Sequence, residues 1–86
     1  MQSNQEASIE RENEFRERLE ELSPSCKLVA YVLVDETHLT PEALAEETLL
    51  PKRTVRYALN RLMESNLVDS SIYIEDPRKN VYYIDH

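Results

Sequence analysis

Apolar residues are sparse at the start of the chain and dense after it. From Ile9 to residue 22 the only ones are Ile9, Phe15, Leu19 and Leu22. The last three are spaced by four and then three, the period of one helix face. Glu14 and Arg18 add an i,i+4 pair of the favoured polarity. The pattern predicts a helix from about Glu6 to Glu21 with a narrow stripe, as on a helix that meets a partner along a seam. Ser23-Pro24 breaks it, with Ser23 placed to cap and Pro24 at the first position of the next helix. That second helix runs to about Val34, with Leu28, Val29, Val32 and Leu33 on its apolar face and Asp35-Glu36-Thr37 at its end.

After an extended link at His38-Leu39, Thr40-Pro41-Glu42 opens a third helix. Thr40 caps, Pro41 has no N–H to leave unpaired, and Glu42 favours the positive end of the dipole. This helix stops near Thr48, and Leu49-Leu50-Pro51 makes a tight turn into a fourth from about Lys52 to Ser65. Val55, Leu59 and Leu62 fall within ~60° of one another at about 100° per residue. Asn66 ends the helix in the left-handed conformation, where glycine is the usual residue. The period then changes to two. Residues 67–74 and Val81-Tyr82-Tyr83-Ile84 are rich in β-branched and aromatic residues, and Glu75 to Asn80 supply a charged turn. The fold class this order predicts is mostly α with a β-hairpin wing, a winged helix-turn-helix with an added N-terminal helix. Residues 1–22 form the charged helix and 23–86 the domain.

Composition narrows the setting. The 86 residues carry 17 acidic and 10 basic side chains, a formal charge of −7, with 41% hydrophobic residues and no glycine. The apolar fraction suffices for a small core. The run from Leu28 to Val34 is too short to span a bilayer, and the polar start, Met1 to Gln5, is unlike a secretory signal. Cys26 is the single cysteine, which excludes an internal disulfide and a cysteine-based zinc site. A cytoplasmic protein with no membrane partner is expected. Abundant acid with only three lysines suggests a surface hydrated in concentrated salt and hence a halophilic host, the alternative being an acidic mesophilic protein.

A charge of −7 argues against nucleic acid until the charges are located. Residues 36–50 hold four acids and no base, whereas 51–66 hold Lys52, Arg53, Arg56 and Arg61 against Glu64 alone. The outward face of the fourth helix presents Lys52, Arg53, Thr54, Arg56, Tyr57 and Asn60. Arginine pairs with guanine, asparagine with adenine, and threonine or tyrosine with phosphate. A charged face can also serve solubility alone, but that would not gather cations in an anionic protein. Arg78 and Lys79 at the hairpin tip would reach the neighbouring minor groove; the plainer reading is that they protect an exposed hairpin from aggregation.

In these residues the chain resembles the MarR-like winged helix-turn-helix regulators, most closely the short versions common in halophilic archaea. The resemblance spans Ser23 to Ile84. It rests on Leu39-Thr40-Pro41-Glu42-Ala43-Leu44-Ala45, on the stretch from Leu50-Pro51-Lys52-Arg53 through Leu62, on Leu67-Val68 and on Asp76-Pro77-Arg78. The Asp-x-Arg of the tip implies a minor-groove role for Arg78, with Asp76 orienting it. Asn66 stands where the family usually has glycine. The sequence ends two residues after Ile84, so the family's C-terminal dimerisation helix, its usual dimer and its effector pocket are expected to be missing, and no small-molecule effector is expected.

The leading functional expectation is a sequence-specific regulator of transcription that binds double-stranded DNA, with residues 52–65 in the major groove and 75–80 at the minor groove. A module making ~5 phosphate contacts would lose roughly five decades of affinity between about 0.15 M and 2 M salt. A homodimer is therefore expected, joined through Ile9, Phe15, Leu19 and Leu22, unless that stripe folds back on its own domain. A second class is a winged-helix interaction module that docks onto transcription or replication machinery through its acidic surface, with Tyr31, Tyr57, Tyr73, Tyr82 and Tyr83 exposed, although most of these read more simply as core-border or cross-strand residues. An enzyme is disfavoured: no glycine-rich phosphate loop exists, and His38 and His86 lie far apart in sequence without a cysteine or paired carboxylate at metal-ligand spacing. No cofactor or metal is expected, and Cys26 reads as a buried, inert thiol.

Overall fold

The computed structural model describes residues 2–85, and within the first helix the side chains of Glu10 and of residues 12–20. The order is α1 (Gln2–Glu20), α2 (Pro24–Glu36), α3 (Pro41–Thr48), α4 (Lys52–Glu64), β1 (Val68–Ile72) and β2 (Asn80–Ile84). This is the expected winged helix-turn-helix with a helix in front. α1 starts earlier than the apolar stripe suggested, because nothing between Gln2 and Glu6 breaks a helix. α2 runs two residues past Val34 and stops only where Thr37 turns to φ 65°.

α2 and α4 pack against each other, with α3 across them and the hairpin closing one end. The core consists of Cys26, Val29, Ala30 and Leu33 of α2, Leu44 of α3, Val55, Ala58, Leu59 and Leu62 of α4, and Leu67, Val68 and Ile84 of the hairpin. The buried face of α2 is thus centred one step away from the expected one. Leu28 is 40% exposed and Val32 only half-buried, while Cys26 and Ala30 take the inward positions.

The seam residues of α1 turn toward their own domain. Leu19 is 4% exposed within the core, and Phe15 and Leu22 pack against it. Ile9 lies outside the described side chains. Arg18 does not pair with Glu14. Its guanidinium reaches the carbonyl of Ser65 at 3.5 Å, a long contact toward the negative end of α4.

The helix-turn-helix corner is set by local bonds. Thr40 Oγ1 accepts from the Ala43 N–H at 3.2 Å, with Pro41 at the first helical position as expected. Buried Thr48 donates its hydroxyl to the Leu44 carbonyl at 2.6 Å and accepts from the Leu50 N–H at 3.3 Å. Between them Leu49 takes the left-handed conformation, φ 61°, with its side chain 89% exposed. Asn66 does the same after α4 at φ 60°, and the Leu67 N–H returns to the Leu62 carbonyl at 2.9 Å. That is the six-to-one bond of a left-handed helix stop. Ser23 sits at the start of α2 but makes no capping bond. Its hydroxyl instead donates to Cys26 Sγ at 3.3 Å.

The hairpin pairs Val68 with Ile84 and Ile72 with Asn80 in antiparallel register. Leu39 adds an isolated antiparallel bridge to Tyr82 of β2 that no sequence pattern reveals. Its N–H donates to the Tyr82 carbonyl at 3.1 Å, and Tyr82 returns the bond at 2.8 Å. A single paired residue has no period to detect, yet it ties the start of α3 to the wing.

Candidate nucleic-acid interface

α4 separates apolar from polar side chains cleanly. Val55, Ala58, Leu59 and Leu62 are at most 1% exposed. Lys52, Arg53, Arg56, Tyr57 and Asn60 are exposed on the other side, and Thr54 is half-buried beside them. The burial of one face forces the other outward, since residues three and four apart share a side of the helix.

Electrostatics divides the basic residues into two groups. Among the described residues the only ion pairs are Arg61–Glu64 at 3.3 Å and Arg78–Asp76 at 3.1 Å. Arg61 therefore spends its charge on its own helix. Lys52, Arg53, Arg56 and Lys79 face solvent without a carboxylate partner.

The wing tip is a small fixed device. Asp76 Oδ1 accepts from the Arg78 N–H at 3.2 Å and from Arg78 Nε at 3.1 Å, while Oδ2 accepts from the outer guanidinium at 3.4 Å. These bonds, side-chain first and backbone second, hold the Asp76 carboxyl below its ordinary 3.8. Arg78 is nonetheless 90% exposed in its side chain, so the pair aims the guanidinium outward without covering it.

The Leu39–Tyr82 bridge and the hairpin bring wing and helix together. Arg56 and Asn60 of α4 and Arg78 and Lys79 of the wing line one polar cleft of about 370 Å³, which also contains Glu42. Four of the eight residues expected from sequence to contact DNA thus line one cleft; Lys52, Arg53, Thr54 and Tyr57 lie elsewhere on α4. In sequence Glu42 is only a favourable helix-start residue. Its position inside the cleft depends on the fold, and nothing in the sequence pattern marks it.

Other candidates are dispersed. Of the five tyrosines, Tyr31 and Tyr57 are exposed, whereas Tyr73, Tyr82 and Tyr83 are half-buried. Tyr82 packs on the core, Tyr83 stacks on His38 with ring centres 4.8 Å apart, and Tyr73 donates to Glu75 at 2.9 Å. Cys26 is a buried free thiol. Among the described residues no group of His, Cys, Asp or Glu side chains is arranged to hold a metal, and no helix is long and apolar enough to cross a membrane.

No protein-family model and no curated protein matches the sequence. Solved structures do match the fold. The PcaV transcriptional regulator of Streptomyces coelicolor, crystallised with its natural ligand, is 20% identical with a TM-score of 0.71 over 92% of this chain and 57% of its own. Bordetella bronchiseptica BpsR, whose DNA binding is regulated by 6-hydroxynicotinic acid, is 20% identical with a TM-score of 0.72 over 96% and 61%. Zinc-responsive ZitR of Lactococcus lactis, a MarR family member, is 25% identical with a TM-score of 0.67 over 74% and 44%. The chain spans less than two thirds of the length of each.

Proposed function

Starting from a winged-helix fold shared with MarR-family transcriptional regulators, we propose that this chain is a sequence-specific regulator that binds double-stranded DNA. α4 enters the major groove with Arg53, Thr54, Arg56, Tyr57 and Asn60 toward the bases and phosphates, and Lys52 steadies its start on the backbone. The wing carries Arg78 and Lys79 to the adjacent minor groove, where a narrow groove favours arginine. One observation carries this reading: Lys52, Arg53 and Arg56 of α4 and Lys79 of the wing are exposed and without an ion-pair partner in a protein whose net charge is −7. An acidic protein that needed only solubility would not concentrate uncompensated cations there.

The working form in this reading is a homodimer. Leu19 and Leu22 hold α1 to the body. The second copy covers the open groove of about 760 Å³ beside it, where Phe15, Tyr31, Val34 and Ile84 contribute apolar surface. The same exposed surface on α2, with Leu28, Tyr31 and Val34, favours as a second reading a module that docks onto another protein. A cytoplasmic site and a saline host belong to the first reading, since pairing of two modules offsets the loss of phosphate attraction in salt.

Selection of bound duplexes from a random pool at high salt tests the proposal. The expected product is a palindromic motif with half-sites about 34 Å apart. Failure to enrich any motif, with the protein folded and monodisperse, overturns it.

A further inference from the structure

A residue lining the cleft between α3, α4 and the wing carries an acceptor that nothing satisfies. Oε1 of Glu42 is cut off from solvent and meets no donor, the one such side-chain atom among the described residues. An acceptor in that state carries its desolvation cost without return. A carboxylate serving only the helix dipole would do so from water, so its place at the start of α3 does not explain an oxygen turned inward.

The donors that line the same cleft are Arg56, Asn60, Arg78 and Lys79 of the proposed DNA-facing surface, with the uncharged Asn80 and Tyr82 of β2. Arg78 is already engaged by Asp76 through Nε at 3.1 Å and through its N–H at 3.2 Å. Asn60 reads adenine with one N–H given to N7 and its Oδ1 accepting from N6, which leaves it a single uncharged N–H, and Lys79 is a point charge at the tip of the wing. Arg56 differs. Its guanidinium carries five N–H groups in a rigid fork, so it can give two to a guanine and keep others for a carboxylate.

We propose that Glu42 is a positioning residue for recognition: when a duplex closes the cleft, its carboxylate accepts from the Arg56 guanidinium and holds the fork against its base. Water excluded by the duplex strengthens that bond. This inference rests on the DNA-binding reading and deepens it. It also predicts the opposite of ordinary electrostatics, in which removing an acid near phosphate tightens binding to every sequence alike.

The test uses a duplex bearing the selected motif and a scrambled duplex, with wild type, Glu42→Gln, Glu42→Asp, Arg56→Ala and the Glu42→Gln/Arg56→Ala pair. Thermal unfolding by circular dichroism accompanies each protein. Glu42→Gln is expected to lose about tenfold of the preference for the motif, and the double variant to lose no more than Arg56→Ala alone. Glu42→Asp keeps the charge but withdraws it by one methylene, and it should lose preference as well. Equal tightening on both duplexes, or additive losses in the double variant, overturns the role of Glu42 while leaving DNA binding intact. A wild type that prefers no duplex overturns the DNA reading and this inference with it.

Discussion

The salt dependence of binding to a non-cognate duplex follows directly from the pairing of each cation. Lys52, Arg53, Arg56 and Lys79 are exposed and unpaired, Arg78 is compensated by Asp76, and Arg61 by Glu64. Each phosphate neutralised by a free cation contributes a slope of about −0.9 in log affinity against log salt, so four give about −3.6 per module. Raising salt from about 0.1 to 0.3 M should then lower affinity about 50-fold. Removing one cation, as in Arg53→Ala or Lys79→Ala, should flatten the slope to about −2.7 and the loss to about 20-fold. Asp76→Asn should act the other way, releasing Arg78 and steepening the slope to about −4.5. Arg61→Ala is the internal control and should leave the slope unchanged, because its charge is already spent on Glu64. Fluorescence anisotropy with a labelled duplex of two helical turns, titrated at several salt concentrations, measures each value. A dimer that engages both modules doubles every slope and preserves the ranking. If Arg61→Ala changes the slope as much as Arg53→Ala does, or if neither matters, the assignment of this surface is wrong.

Three further outcomes probe the fold. Leu19→Ala should cost about 2–3 kcal/mol in urea unfolding, at the low end for a buried leucine because α1 lies at the margin; the loss should be independent of protein concentration, and a concentration-dependent loss would mean that Leu19 lies in a seam between copies. Leu49→Asn should stabilise the turn by about 1 kcal/mol, since a leucine at φ 61° bears a steric cost that asparagine largely avoids; an unchanged or lower melting temperature would refute the strain. The Glu36 carboxyl is raised above its ordinary 4.5, chiefly by a hydrogen bond shared with Glu47, then by the Glu47 charge, with smaller contributions from desolvation and Asp35. The folded state therefore holds that proton more tightly than the unfolded chain, so the stability it contributes is present below pH 4.5 and is lost as pH rises through the raised value. Glu36→Gln should flatten that acid-side slope in unfolding titrations, and an unaltered slope would place its origin elsewhere.

The features legible in the residues are those decided by near neighbours. Thr40 and Pro41 start α3 because a cap and a proline act within one turn. Asn66 stops α4 because a short polar side chain tolerates the left-handed region in a chain without glycine. The division of α4 into a buried face and a cationic one follows from its 3.6-residue period, and the wing's Asp76–Arg78 pair spans only two positions. Burial and pairing between distant segments are different in kind. A narrow apolar stripe looks the same whether it meets another chain or its own, and packing alone turned Leu19 into the core. Ser23 is a good cap by composition, yet the nearby sulfur of Cys26 took its hydroxyl. Leu39 paired with Tyr82 across 43 positions, which no local pattern encodes. That pairing draws the start of α3 toward the wing. It is the reason a glutamate chosen for a helix end now shares a cleft with the arginines that face outward from the molecule.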